Sequence, residues 1–417
     1  MSTGSHHSSQ KLKAWIICLT ASLGLFFIFF QMHAFNSLSN DLMNSFNMSA
    51  SELGMFSTVY LLAGGLSLIP VSFLIDRFSI KKAIVFGMIL AIASSSLFAS
   101  SHSILLAGLA RVLGGISQSF VFLGCLRLVA KWLEGQLALG NSIVITIGLF
   151  GAIAAQTPLT LLIQNFGWRY ALWIITLLTV AVTALIIFVV KDKKEKNQVN
   201  EDSWSDLGSK LKKATTFSQN WLCASYTTFL NLPVIVLGGL LGNIYLQGAE
   251  KLNTVQASSI VSTLYIGSMI GGPIIGWMSD KMGRRKPLMF VCPVVGIVIV
   301  ALICLVPNLS LAYLSALFFI LGLFSSAQAL AYPILTECNL SRIASVSLGF
   351  ACAISIIMNA ILQSSFASLI KSDIWNELAL SPLDPYRSTM MLFAFIFLVG
   401  FIISLFIKET FCKIAGK

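Results

Sequence analysis

GWMSDKMGRRKP, residues 276–287, sets one acid, Asp280, among the bases Lys281, Arg284, Arg285 and Lys286. The chain around it is 57% hydrophobic and only 10% charged, where soluble domains average about 25% charged. A related stretch, SFLIDRFSIKKA at residues 72–83, carries Asp76, Arg77, Lys81 and Lys82. A chain this poor in charge that places the same cluster twice is reusing a unit. The flanks of each cluster say which unit.

Both clusters lie between long apolar runs. A membrane-spanning helix needs ~20 mostly apolar residues. Such runs occur at roughly 13–38, 52–75, 82–100, 103–130, 137–165, 168–190, 219–248, 255–279, 286–307, 309–335, 344–370 and 388–408. They are continuous, unlike the alternating ~10-residue strands of a membrane barrel. The expected fold is therefore an all-α membrane protein of twelve spans, and the bilayer is its solvent.

The net charge of +11 does not point to nucleic acid, because the bases are sorted by side. In a twelve-span topology most lysines and arginines fall on one side. They include Lys11, Lys13, both quoted clusters, seven lysines between 191 and 213, and Lys408. Lys251, Lys371 and Arg387 fall on the other side. This bias places both termini in the cytoplasm and predicts a multi-pass protein of a bacterial inner membrane. The first apolar run is too long for a signal-peptide core and is read as retained. His6 and His7 sit in a polar tail. The eight cysteines avoid outer loops, so no disulfide framework is expected. No Cys/His spacing suggests a metal, and no cofactor is expected.

Residues 191–218 begin with a Lys-, Glu-, Asp- and Asn-rich stretch that cannot build a core. It reads as a linker, with room for a short surface helix. The expected plan is a tail (1–12), a six-helix half (13–190), the linker (191–218), a second six-helix half (219–408) and a tail (409–417). Asp76 and Asp280 each end the second helix of their half. Halves repeated in this way are a known transporter plan.

These features together resemble the major facilitator superfamily. Its motif between the second and third helices of a half is Gly-x-x-x-Asp-Arg/Lys-x-Gly-x-Arg/Lys-Arg/Lys. The second half matches it fully at Gly276, Asp280, Lys281, Gly283, Arg285 and Lys286. The first half keeps Asp76, Arg77, Lys81 and Lys82, but Ser72 and Ser79 replace the glycines. ARVLGGISQSF, with Arg111, is similar to the helix-4 motif, and GLFGAIAAQTPL to the helix-5 motif. The resemblance implies alternating access, with these loops gating one face. Asp76 would meet the start of helix 11, near Ser345 and Ser347. Asp280 would meet the start of helix 5, near Asn141.

The resemblance also implies a mid-membrane site lined by helices 1, 4, 7 and 10, with help from 2, 5, 8 and 11. Arg111 lies about eight residues into helix 4, ~12 Å deep. It is the deepest fixed charge, and such a charge is a functional hypothesis by default. Ligand binding and hydrogen bonding to neighbouring backbone both remain open for it. Further polar candidates are Tyr60, Gln118, Gln156, Tyr226, Asn231, Tyr265, Gln328, Tyr332 and Asn359. Each could equally be a helix–helix hydrogen bond. No carboxylate lies deep in a span, and His33 and Asp41 are the nearest titratable substitutes for proton coupling.

The leading expectation is a monomeric secondary transporter for a small organic solute, anionic or zwitterionic. Its partners would be that substrate, a coupling proton where coupling exists, and the lipid bilayer. A drug or metabolite exporter and a non-transporting membrane sensor are the alternatives. No catalytic constellation appears, so an enzyme is not expected.

Overall fold

The computed structural model describes residues 3–77, 79–133, 137–192, 204–306, 309–339, 341–370 and 384–412. The side chains of His6, His7, Asp76, Arg77 and Ser345, and Lys371 altogether, lie outside the described residues. Within them, 12 helices are long and apolar enough to cross a membrane. Helices 1–6 are Lys11–Phe46, Ala50–Ser72, Ile80–Ala99, Ile104–Trp132, Ile143–Phe166 and Trp168–Val189. Helices 7–12 are Ser218–Ala249, Thr254–Met282, Lys286–Leu305, Leu311–Cys338, Val346–Leu369 and Pro385–Phe406.

Helix starts follow local chemistry. Asn253 and Gln256 form a reciprocal capping box on helix 8, which satisfies two otherwise orphaned amide groups. Ser310 caps helix 10, and Asp384 caps helix 12 with Pro385 just inside, an arrangement proline's missing N–H permits. Helix 8 ends at Gly283 with φ 62°, a left-handed stop that glycine adopts without a Cβ clash.

Three spans are irregular. Helix 5 breaks at Gln156, just before Pro158. Helix 7 passes through Pro233 into a π-helical stretch, Val234–Leu241. Helix 10 narrows to a 3-10 turn at Ser326–Leu330. Long π segments are rare, and mid-helix 3-10 turns often mark hinges. Pro233 removes an amide donor, which explains where the helix 7 irregularity begins.

The chain divides into two compact units. The first contains Met1–Ala34 and Leu62–Val199. In it helices 3 and 4 lock together, with Ser117 donating to the Gly87 carbonyl at 2.8 Å and Ser94 to the Ala110 carbonyl at 2.8 Å. A buried aliphatic core, including Leu25, Ile84, Met88 and Val121, fills the space between helices 1, 3 and 4.

The second unit contains Phe35–Leu61 and Asn200–Lys417. Helices 8 and 10 meet backbone to backbone: a Cβ on Gly322 would fall 1.9 Å from the Leu264 carbonyl oxygen. Small residues allow such approach where lipid gives helices no hydrophobic reason to associate. Within this unit the later part of helix 1 and the earlier part of helix 2 pack on helices 7 and 11. Asn243 donates from its backbone and side chain to Asn36, at 2.9 and 3.1 Å. Asn40 donates to Gln247 at 2.9 Å, and Thr58 to the Ala360 carbonyl at 2.9 Å. A Cβ on Gly54 would lie 2.1 Å from that of Ala367.

The linker contains a helix, Trp204–Thr216. Asn220 at the start of helix 7 anchors it, donating to the Ala214 carbonyl at 2.9 Å and to Ser347 at 3.1 Å. Asn339 donates to the same Asn220 at 2.8 Å. Ser347, expected opposite Asp76, is therefore held by Asn220.

Candidate functional site

In the first unit, three of the nominated polar side chains converge on one stretch of helix 1. Arg111 is 5% exposed and donates from Nη1 to the Gln31 carbonyl at 3.3 Å. Gln118 reaches the Met32 sulfur at 3.7 Å. Gln156, placed by the helix 5 break, approaches the His33 carbonyl at 3.5 Å. Gln31 in turn donates to the Ala91 carbonyl of helix 3 at 3.1 Å. The ring of His33 lies edge-on to Phe29, within electrostatic reach of Arg111. Residues 31–33 are thus a polar node joining helices 1, 3, 4 and 5. A guanidinium at this depth costs at least ~2.5 kcal/mol. The sequence has no acid at 11–34, 79–133 or 137–191, so these stretches offer the guanidinium no carboxylate.

In the second unit, Gln328 sits in the 3-10 turn of helix 10. Its side-chain oxygen accepts from Tyr332 at 3.4 Å, and its backbone carbonyl accepts from Thr227 of helix 7 at 3.3 Å. Tyr332 also meets Cys352 of helix 11. Asn231 is half-buried just before Pro233. Asn359 is 2% exposed and makes no side-chain hydrogen bond among the described residues. Tyr60 is fully buried. Two nominated tyrosines are occupied by packing. Tyr226 donates to the Met289 carbonyl of helix 9 at 3.3 Å. Tyr265 lies against Gly238 of the π segment, where a Cβ would fall 2.3 Å from its hydroxyl. Their sequence signal was a polar atom at the right depth, which cannot reveal which way it points.

The two quoted loops differ in wiring. In the second, Gly276 is half-buried and Arg285 is the hub. It pairs with Asp280 at 2.6 Å and with buried Glu337 of helix 10 at 2.9 Å, and donates to Ser279 at 3.1 Å. Thr410 donates to the other oxygen of Glu337. Burial works against the Arg285 charge, but the bonds to Glu337 and Asp280 outweigh it and raise its pKa. Glu409 accepts from the backbone amides of Arg285 and Lys286, both at 2.9 Å. Burial pushes the Glu409 carboxyl up, yet these amides with those of Phe411 and Thr410 prevail and hold it below its ordinary range. Lys286 donates to the Leu405 carbonyl at 3.0 Å, and Lys281 lies over the Trp277 ring.

In the first loop Asp192 takes the place of Glu409. It accepts from the Lys81 amide at 3.1 Å and from the Ser79 hydroxyl. Lys81 Nζ donates to the Ile187 carbonyl at 2.6 Å. Lys82 is exposed, and its amide is capped by Ser79 at 3.1 Å.

A family model described as Major Facilitator Superfamily matches residues 21–361. The chain belongs to that superfamily. Its family and fold are those of multi-pass membrane transporters, which are not enzymes. Among superfamily relatives, the chain is similar to the membrane sensor protein UhpC of Salmonella typhimurium. That match is 23% identical over 374 residues, 84% of each chain. It is also similar to a probable hexose phosphate transport protein of Chlamydia trachomatis, 21% identical over 294 residues, 64% of each chain. Its fold matches the crystal structure of a bacterial homologue of the human lysosomal transporter Spinster, in an inward-facing and unoccupied conformation. The TM-score is 0.73 at 14% identity, covering 95% of this chain and 97% of that one.

The superfamily motif named Asp280 and Arg285 but not their partners. Glu337, Glu409, Asp192 and Gln31 went unnamed. Two of them shared a signal: Asp192 and Glu409 each lie three residues past the last helical residue of their half, Val189 and Phe406. Gln31 carried the signal of a polar side chain inside helix 1, one that bonds to Ala91, but the carbonyl it offers Arg111 carries none.

Proposed function

We propose that the protein is a secondary transporter moving a small organic anion or zwitterion across a bacterial cytoplasmic membrane by alternating access. Both termini and the linker face the cytoplasm. The observation carrying this reading is the polar node at Arg111. A guanidinium held among stretches of helices 1, 3, 4 and 5 that carry no acid, at 11–34, 79–133 and 137–191, favours an anion, and Arg binds carboxylate or phosphate bidentately. The irregular stretches of helices 7 and 10 supply points where a span can bend. The name of the Chlamydia relative, a hexose phosphate transport protein, fits an anionic cargo.

The test is uptake or exchange in proteoliposomes with a panel of organic acids, phosphate esters and amino acids. Arg111→Gln should nearly abolish transport while the protein still inserts and unfolds near the wild-type temperature. Arg111→Lys should keep the charge, lose the fork and weaken binding about tenfold or more. A transported solute that is cationic, or neutral throughout the working pH range, overturns the anion assignment.

A sensor is the second reading, favoured by the 84% coverage of UhpC, named a membrane sensor protein. A sensor would bind the anion without moving it. Binding with an Arg111-dependent affinity and no uptake or exchange in either direction would select that reading.

A further inference from the structure

Helix 11 carries Ser355, Asn359 and Gln363 at four-residue spacing, so the three share one face. All are buried, at 4%, 2% and 2% exposure. Asn359 is 13 residues into a 24-residue span, at its middle. The Nε2 of Gln363 donates to Ser57 of helix 2 at 3.3 Å. Its carboxamide oxygen and that of Asn359 are both buried and accept no hydrogen bond among the described residues. Buried polar atoms are nearly always paired, and each exception calls for an explanation. Two acceptors one turn apart, both unfilled among the described residues, with Asn359 making no side-chain hydrogen bond among them, describe a surface waiting for donors.

We infer that this face of helix 11 is a hydroxyl-binding subsite, and that the solute the protein binds is polyhydroxylated. Unpaired carbonyl oxygens call for O–H or N–H donors. A hydroxyl suits Asn359 best, because it can donate to Oδ1 and also accept from the amide nitrogen. An ammonium group is disfavoured. The acids of this unit's spans, Asp41, Glu52, Asp280 and Glu337, lie towards the span ends, whereas Asn359 is at the middle of its span. The inference deepens the reading of a solute-binding protein given above and rests on it. Together the two describe a hydroxylated acid or phosphate ester.

A bound hydroxyl is also a demanding recognition element. A site built to hydrogen-bond it rejects the analogue that lacks it by large factors, because the buried polar groups are then left unpaired. Without ligand, the same groups weaken the fold. Asn359 should therefore show opposite effects on binding and on stability, which a purely structural asparagine would not.

The experiment measures affinities of the purified full chain for matched probes. Glucose 6-phosphate is set against hexyl phosphate, gluconate against hexanoate, and neutral glucose is included. The wild type should favour each hydroxylated probe at least about tenfold. Asn359→Leu, close in shape, should abolish that preference, leave the bare anions within about twofold, and unfold at or above the wild-type temperature. Should Asn359→Leu fail to fold, Gln363→Met reads the same preference and should reduce it by about threefold or more. Equal wild-type affinity for hydroxylated and bare anions overturns the inference and leaves the anion reading standing. Preference surviving in the variant overturns it too, and assigns the orphan oxygens to ordered water. Asn359-dependent binding of glucose with no binding of any anion overturns the anion reading alone. Binding of none of the probes overturns both.

Discussion

The helix 2–3 and helix 8–9 loops read as copies of one motif, and they are held in place differently. What they share lies outside the motif. In each half an acid three residues past the sixth helix accepts amide hydrogens at the start of the third, Asp192 in one case and Glu409 in the other. What they do not share is the hub. Arg285 is buried between Asp280 and Glu337, whereas Lys81, its counterpart by motif position, reaches a backbone carbonyl instead. Helix 10 ends Glu337–Cys338, while helix 4 ends Lys131–Trp132. In the first half the nearest acid is Glu134, just past the end of helix 4 and outside the described residues. The lesson is that a short motif records a loop's shape more faithfully than its energetics, because the energetics depend on a third helix.

The hub gives the largest expected break in this symmetry. Arg285→Met leaves Glu337 buried without its charge partner and should cost about 3–5 kcal/mol of stability, the range for a buried pair cut on one side. The double variant Arg285→Met, Glu337→Leu should recover most of it, since an apolar pair of similar volume replaces both charges. Asp280→Asn should cost less than about 1 kcal/mol, because Asp280 is 69% exposed. Denaturant unfolding of the purified protein measures all three. A double variant no better than Arg285→Met would remove the hub from the account.

The shared clamp should give intermediate and matching effects. Asp192→Asn and Glu409→Gln should each cost about 1 kcal/mol, the usual worth of a helix cap. Their pH dependence sharpens the point for Glu409. Its pKa is depressed below the ordinary 4.5, so its contribution is full above that value and is lost as the pH falls through the lowered one. Thermal stability of the wild type should therefore drop below pH 4.5 more steeply than that of Glu409→Gln. Parallel curves would mean the carboxylate charge does not hold the loop.

The smallest effect belongs to the lysines. Lys81→Met and Lys286→Met each remove one hydrogen bond to a backbone carbonyl, at 2.6 and 3.0 Å, and both groups are solvent-facing. Each should shift stability by less than about 1 kcal/mol, and by the same amount. A Lys81 effect approaching that of Arg285 would restore the symmetry the motif suggests.

The fold was legible because bilayer thickness turns composition into geometry. Twelve apolar runs became twelve spans, with ends that capping residues such as Asn253 and Asp384 place within a few residues. Proline accompanies two of the irregular helices, at Pro158 and Pro233, but its chemistry does not say that the second becomes a π segment. The site was legible only as a set of depths. Arg111, Gln118 and Gln156 meet at helix 1, while Tyr226 and Tyr265 at similar depths turn to helix 9 and to Gly238. Helical periodicity gives a residue's height from any sequence. Its azimuth depends on how neighbours are packed, and three of the contacts at helix 1 are to backbone carbonyls or a thioether that carry no pattern at all.

Hydropathy draws the last boundary of this chain at Phe406, yet Glu409 and Thr410 reach back to the start of helix 9 and to the end of helix 10. A chain trimmed after Ile407, or fused there to another protein, would keep every span and still lose the fastening of one loop. The edge of the greasy part and the edge of the folded part are different places, and the polar stub between them belongs to the second.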